Sequence, residues 1–297
     1  VLSILAGGTL ARFGISNYYY MENILVPVDF SAASAKALSY AFNINTHFIS
    51  KIQVLHFFDM PIVIGANSKK YLKNFEAYRH SCEDEVWTFI AKNKGQYHYD
   101  IEVFTSAGGH HQGILEFTLQ HHPDLIIIGN TGGGIVKKWL FGSVARYLLT
   151  HPPVPVMAVP LNYTPNEINN ILFATDLSEP LSAESLRFLK MFVERTGSTF
   201  KILHARSKNE LCLPNEVEYI SQYRKNLGVE TEIQPVKPEQ DISGCINENI
   251  KEKRIDLLIT IPHEHTWMDR LFIGTETSEL TSMLRIPIMS MPSSKPK

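Results

Sequence analysis

The chain repeats itself, and an internal repeat restricts the fold more tightly than composition can. "NILVPVDFSAASAKAL" from Asn23 to Leu38 matches "NILFATDLSEPLSAESL" from Asn170 to Leu186, which pairs Asp29 with Asp176 and Ser31 with Ser178. "VLHFF" from Val54 to Phe58 matches "ILHAR" from Ile202 to Arg206 and sets His56 against His204. The longest match is ungapped: Asp124 to Pro160 runs parallel to Asp256 to Pro292. The second copy is the shorter, and the loss falls after the second strand, so the first copy carries an insertion or a longer second helix around "MPIVIGANSKKYLKNFEAYRH".

Within each copy, short apolar runs alternate with amphipathic segments, the pattern of a parallel sheet with crossover helices. In the first copy the strands are expected near Ile24 to Val28, Ile52 to Phe57, Tyr99 to Phe104, Leu125 to Gly129 and Val154 to Val159. Helices are expected to start at Ser31, near Lys69, near His111 and at Ser143. Ser31 and Ser178 each follow a strand and precede a helical pattern, so both read as N-caps. "LNYTPNEI", residues 161–168, is polar, contains Pro165 and reads as a linker. The expected organisation is a first domain over 21–160, the linker, a second domain over 169–293 and a tail over 294–297. Residues 1–20 lack the features of a secretory signal. They are expected to be an upstream read-through or a disordered arm, with Met21 as the natural start.

Lys and Arg total 28 against 30 Asp and Glu. That near balance gives no electrostatic reason to expect nucleic acid or an anionic membrane as a partner. No apolar run reaches the roughly 18 residues of a membrane-spanning helix. The three cysteines are scattered and form no CxxC, which fits a reducing, cytoplasmic setting rather than a disulfide framework or a zinc site.

In a doubly wound sheet, ligands bind outside the carboxyl ends of the strands, where backbone N–H groups and helix N-termini face an open crevice. "GNTGGGIVKKWLFGS", Gly129 to Ser143, falls at such a place. Its glycines let the backbone adopt positive φ and approach a ligand closely. There is no GxxxxGK[ST], and no GxGxxG after the first strand, so neither a P-loop nor a dinucleotide fingerprint is supported. Instead the spacing is glycine, two residues, glycine, nine residues, glycine and serine, at Gly129, Gly132, Gly142 and Ser143.

This spacing closely resembles the ATP-binding signature of the universal stress protein family. "NILVPVDFS", "VLHFF" and "HPPVPVMAVP" are similar to that family's first, second and last strands. The resemblance runs from residue 22 to 292 and implies two tandem Rossmann-like α/β domains of the adenine nucleotide alpha hydrolase type, each a five-stranded parallel sheet with helices on both faces. It further implies ATP or another adenine nucleotide, with or without Mg, as cofactor. Pro27, Val28 and Asp29 would sit by the adenosine, Asp29 at the ribose, and Phe57 would lie against the adenine through its backbone. Gly129, Gly132, Gly142 and Ser143 would hold the phosphates, with Val144 beside them. Asp29 also reads as a helix cap. Family members pair through their last strands, so an internal pseudo-dimer is expected through Val154 to Val159 and Ile286 to Met291, with a homodimer of the whole chain left open.

The second copy replaces Gly129 by Ile261 and Gly132 by Glu264. A β-branched residue resists positive φ, and a carboxylate repels phosphate. The second copy is therefore expected to be a structural partner rather than a nucleotide site. By the same comparison Gly129 and Gly132 look dispensable to the architecture, which favours phosphate binding as their purpose. Lys137 and Lys138 read as solvated loop charges before they read as partners of a γ-phosphate. His263 and His265, and the pairs at 110–111 and 121–122, fall short of a zinc ligand set. His56 and His204 read as core histidines with satisfied hydrogen bonds.

No GxSxG elbow, nucleophile–base pair or kinase set occurs. A regulatory ATP-binding protein without efficient turnover is therefore the leading expectation. A weak ATPase or phosphotransferase, and a scaffold that binds no nucleotide, are the alternatives.

Overall fold

A computed structural model describes residues 20–59, 68–96, 98–130, 141–175, 177, 180–204, 216–227, 231–235, 242–262 and 285–293. In the first half, the strands are β1 (Asn23–Val28), β2 (Lys51–Phe58), β3 (Ile101–Ala107), β4 (Leu125–Asn130) and β5 (Val156–Pro160). Between them run α1 (Ala32–Ile44), α2 (Ser68–Asn93), α3 (His110–His121) and α4 (Ser143–Thr150). The second half supplies β6 (Asn170–Thr175), α5 (Ala183–Thr196), β7 (Thr199–His204), α6 (Glu216–Leu227), β8 (Thr231–Pro235), α7 (Ile242–Glu252), β9 (Leu257–Thr260) and β10 (Ile288–Ser290).

All ten strands form one sheet, ordered β3-β2-β1-β4-β5-β10-β9-β6-β7-β8. Every neighbour pair is parallel except β5 with β10, which is antiparallel. The order reads the same outward from that seam in both directions. The seam joins Val156–Pro160 to Ile288–Ser290, the two apolar runs in which the sequence placed the pairing. At its side, the Ser290 hydroxyl donates to the Leu149 carbonyl at 2.6 Å. Phe48 stacks on Phe192 across the two halves, with centroids 5.3 Å apart.

The strands are apolar on both faces because helices cover both faces. One hydrophobic cluster lies under α1, α2, α5 and α6, and a second under α3, α4 and α7. The length difference between the copies sits in the second helix, 26 residues in α2 against 12 in α6.

One matched pair of side chains ties each half together. Asp124 Oδ2 accepts from the N–H groups of Glu22 and Asn23, at 2.7 and 3.0 Å. Asp256 Oδ2 accepts from those of Asn169 and Asn170, both at 2.9 Å. These aspartates hold the start of one strand to the start of its neighbour. The segment 161–168 is more firmly anchored than its polar composition suggests. Tyr163 and Ile168 are buried, and the Tyr163 ring meets Tyr40 edge-on at 5.8 Å.

The cap expected at Ser178 is not the one that starts α5. That helix begins at Ala183, and the Ser182 hydroxyl accepts from the Ser185 N–H at 3.0 Å. Three residues separate β1 from α1, whereas seven separate β6 from α5. Pro180 lies in this longer turn. Ser178 itself lies outside the described residues.

Candidate nucleotide pocket

At the carboxyl ends of β1, β2 and β4, a pocket of about 200 Å³ opens between the first turns of α1, α3 and α4. It gathers Pro27, Val28, Asp29, Phe57, Gly129, Gly142, Ser143 and Val144 around one space. Of the residues expected from sequence, Gly132 lies outside the described residues, as do Lys137, Lys138, Asp176, Gly274 and Thr275. The floor is apolar, with Phe57, Ile114 and Ile128 among its walls, and the rim is polar.

Asp29 stands at the rim, one residue beyond β1. Its Oδ1 accepts from the Ser31 hydroxyl at 2.6 Å and from the Ser31 N–H at 3.1 Å. Partial burial works against ionisation, but the hydrogen bonds from Ser31 and Ser34 outweigh it and hold the carboxyl below the usual aspartate range. The Ser31 hydroxyl in turn accepts from the Ser34 N–H at 3.2 Å and so caps α1 as expected. Between them Phe30 is left-handed at φ 61, and Leu177 repeats this in the second half at φ 57. The strand ends are set by histidine as well: His56 Nδ1 lies 2.9 Å from the Val28 carbonyl, a bond that requires the proton on Nδ1.

The glycines divide by what they do. Gly129 does not have positive φ. A Cβ there would stand 2.2 Å from the Ala33 carbonyl oxygen and 2.8 Å from the Ser34 nitrogen, so α1 lies directly on the backbone of β4. The expectation that Gly129 is dispensable to the architecture is therefore corrected. At the matching place in the second half, where α5 starts later after its strand, Ile261 is buried in the same hydrophobic cluster as Leu177 and Leu181.

Gly142 differs again. Its backbone is extended, φ −62 and ψ 157, and among the described residues no heavy atom lies within 4 Å of where its Cβ would stand. Neither conformation nor packing requires glycine, and the open volume belongs to the pocket mouth. Gly142 offers no side-chain cap to α4, so the N–H groups of the first turn, at Ser143, Val144 and Ala145, sit at the pocket without one among the described residues. Such a terminus carries a partial positive charge and free donors.

Sequence reasoning weighed His110 only as a metal ligand, whereas it is the first residue of α3 and also lines the pocket. The signal available was "GGHH" directly after the third strand.

With this geometry in place, comparison with known proteins finds a family match over the first half. Residues 21–160 match the universal stress protein family. A universal stress protein from Methanocaldococcus jannaschii is 24% identical over 138 residues, covering 46% of this chain and 81% of that protein. Two solved structures resemble the chain over both halves. A universal stress protein from Archaeoglobus fulgidus aligns with TM-score 0.63 at 19% identity, over 92% of this chain and 99% of its own. A functionally unknown protein from Pseudomonas aeruginosa aligns with TM-score 0.54 at 15% identity, over 92% and 93%. At these identities the two structural likenesses establish the fold alone, an α/β fold with a mainly parallel sheet. No described helix is long and apolar enough to cross a membrane.

Proposed function

We propose that this chain is a regulatory adenine-nucleotide-binding protein of the universal stress protein type, with one nucleotide held by its first half. The carrying observation is the convergence of Asp29, Phe57 and the uncapped start of α4 on one pocket. The sheet order sets the layout. β2, β1 and β4 are neighbours, so their ends span roughly 10 Å at the usual strand spacing. A nucleoside phosphate fits that span with the base at Phe57, the ribose hydroxyls at the Asp29 carboxylate and the phosphates at Gly142, Ser143 and Val144. The N–H groups there supply donors that a phosphate needs, and the empty space beside Gly142 lets its oxygens approach. Gly132 would complete the phosphate loop. Among the described residues no group of three or more His, Cys, Asp or Glu is placed to hold a metal ion, so in this reading Mg arrives on the nucleotide.

The second half acts as the structural partner. In place of a glycine floor it has Ile261, buried with Leu177 and Leu181. The two halves are read as tandem domains joined through β5 and β10 as an internal pseudo-dimer. Nucleotide is held rather than consumed, so occupancy is the regulatory signal, in a cytoplasmic setting.

Equilibrium dialysis of the intact chain against ATP tests this. One site per chain is expected, with affinity reduced roughly 10–100-fold in Asp29→Ala, the scale of a lost charge-assisted hydrogen bond. Two sites per chain, or saturable binding indifferent to Asp29, would contradict the assignment. Steady ADP release in proportion to protein would replace it with an enzyme.

A further inference from the structure

We infer that His110 contacts the base of the bound nucleotide, an inference that rests on the nucleotide reading of the pocket. His110 opens α3, is exposed at the rim, and lines the same space as Asp29 and Ser143. Its ring meets the Phe57 ring edge-on, with centroids 5.6 Å apart. The contact is held from below. One turn along α3, a Cβ on Gly113 would stand 2.2 Å from the Phe57 ring, so glycine at 113 lets the helix close over Phe57. Phe57 is thereby 7% exposed, and His110 is left as the polar group beside it.

The position of this pair decides which part of a nucleotide it meets. Phe57 belongs to β2, on the far side of β1 from β4 and α4. The donors suited to phosphate lie at α4, so the β2 and α3 end faces the base. An imidazole there offers a ring face to the base and one ring nitrogen to a polar atom on its edge. Around it, Asp29 is the other ionisable group lining the pocket among the described residues. His111, next on α3, turns instead to the Tyr147 ring of α4, at 5.3 Å.

The test is equilibrium binding of ATP, GTP and adenosine to the full chain as wild type, His110→Ala and His110→Gln, with thermal melting of each protein as a folding control. His110→Ala is expected to weaken ATP and adenosine by the same factor, about fivefold to tenfold. His110→Gln, which keeps a polar group at the same place, is expected to restore part of that loss. A loss confined to ATP with adenosine unchanged would place the imidazole at the phosphates and overturn the inference. So would unchanged binding of all three ligands in His110→Ala. Wild-type protein that binds neither ATP nor adenosine would overturn the nucleotide reading itself, a result distinct from these.

Discussion

Gly129 and Ile261 occupy matching places at the carboxyl ends of β4 and β9, yet their surroundings make opposite demands. In the first half α1 begins three residues after β1 and lies on the Gly129 backbone. In the second, seven residues intervene, and Ile261, Leu177 and Leu181 are buried in one hydrophobic cluster. A residue identity that looks like a functional marker in an alignment is, at this position, first a record of where the next helix begins.

Exchanging the two residues is the most severe way to break the comparison. Gly129→Ile forces a side chain into the α1 backbone and is expected to cost about 3 kcal/mol or more, read as a large drop in denaturation midpoint. Ile261→Ala opens a cavity in the other half and is expected to cost ~2–5 kcal/mol. If Gly129→Ile left the midpoint unchanged, the close approach of α1 to β4 would be wrong.

The turns themselves can be sharpened by their caps. Ser31→Ala and Ser182→Ala are each expected to destabilise by about 1 kcal/mol in urea melts, the usual value of a serine N-cap. Ser178→Ala serves as the control. A larger loss at Ser178 than at Ser182 would return the cap to the position that the ungapped pairing suggested.

The smallest effect is expected at alkaline pH, in the segment joining the halves. Burial pushes the Tyr163 hydroxyl up to about 12, with the nearby Asp256 carboxylate adding to the rise. The folded state keeps this proton longer than the unfolded chain, whose tyrosine titrates near 10. The contribution of Tyr163 is therefore complete below about pH 10 and is lost as pH rises toward 12. Tyr163→Phe should flatten that part of the stability profile, measured by urea melts at stepped pH. An unchanged slope would mean that the hydroxyl is not shielded.

Much of this was legible in the chain. The apolar runs located the first-half strands to within three residues, because buried parallel strands leave few polar positions to confuse their limits. β5 starts at Val156 rather than Val154, with Pro155, which has no N–H, just ahead of it. Eight of the nine residues implied by the family resemblance line one space, and Gly132 lies outside the described residues. What escaped were relations across the fold. Serine stands at 178, 182 and 185, and a linear comparison cannot tell which of them meets a helix start. The role of Gly129 depends on Ala33, a residue remote in sequence. The matched pair Asp124 and Asp256 was visible as a repeat, but its hydrogen bonds to the starts of β1 and β6 appear only once the sheet order is known.

The antiparallel seam also bears on how the molecule comes to be assembled. β5 is apolar and fully buried, and one of its two edges is completed by β10, the last of the described strands. During synthesis, residues 156–160 therefore wait with open backbone donors and acceptors until 288–290 have been made. Such an edge invites pairing with another chain. The interval between those two stretches is the period in which a growing molecule is most exposed to the wrong neighbour, and the final strand ends it by joining the sheet at its middle.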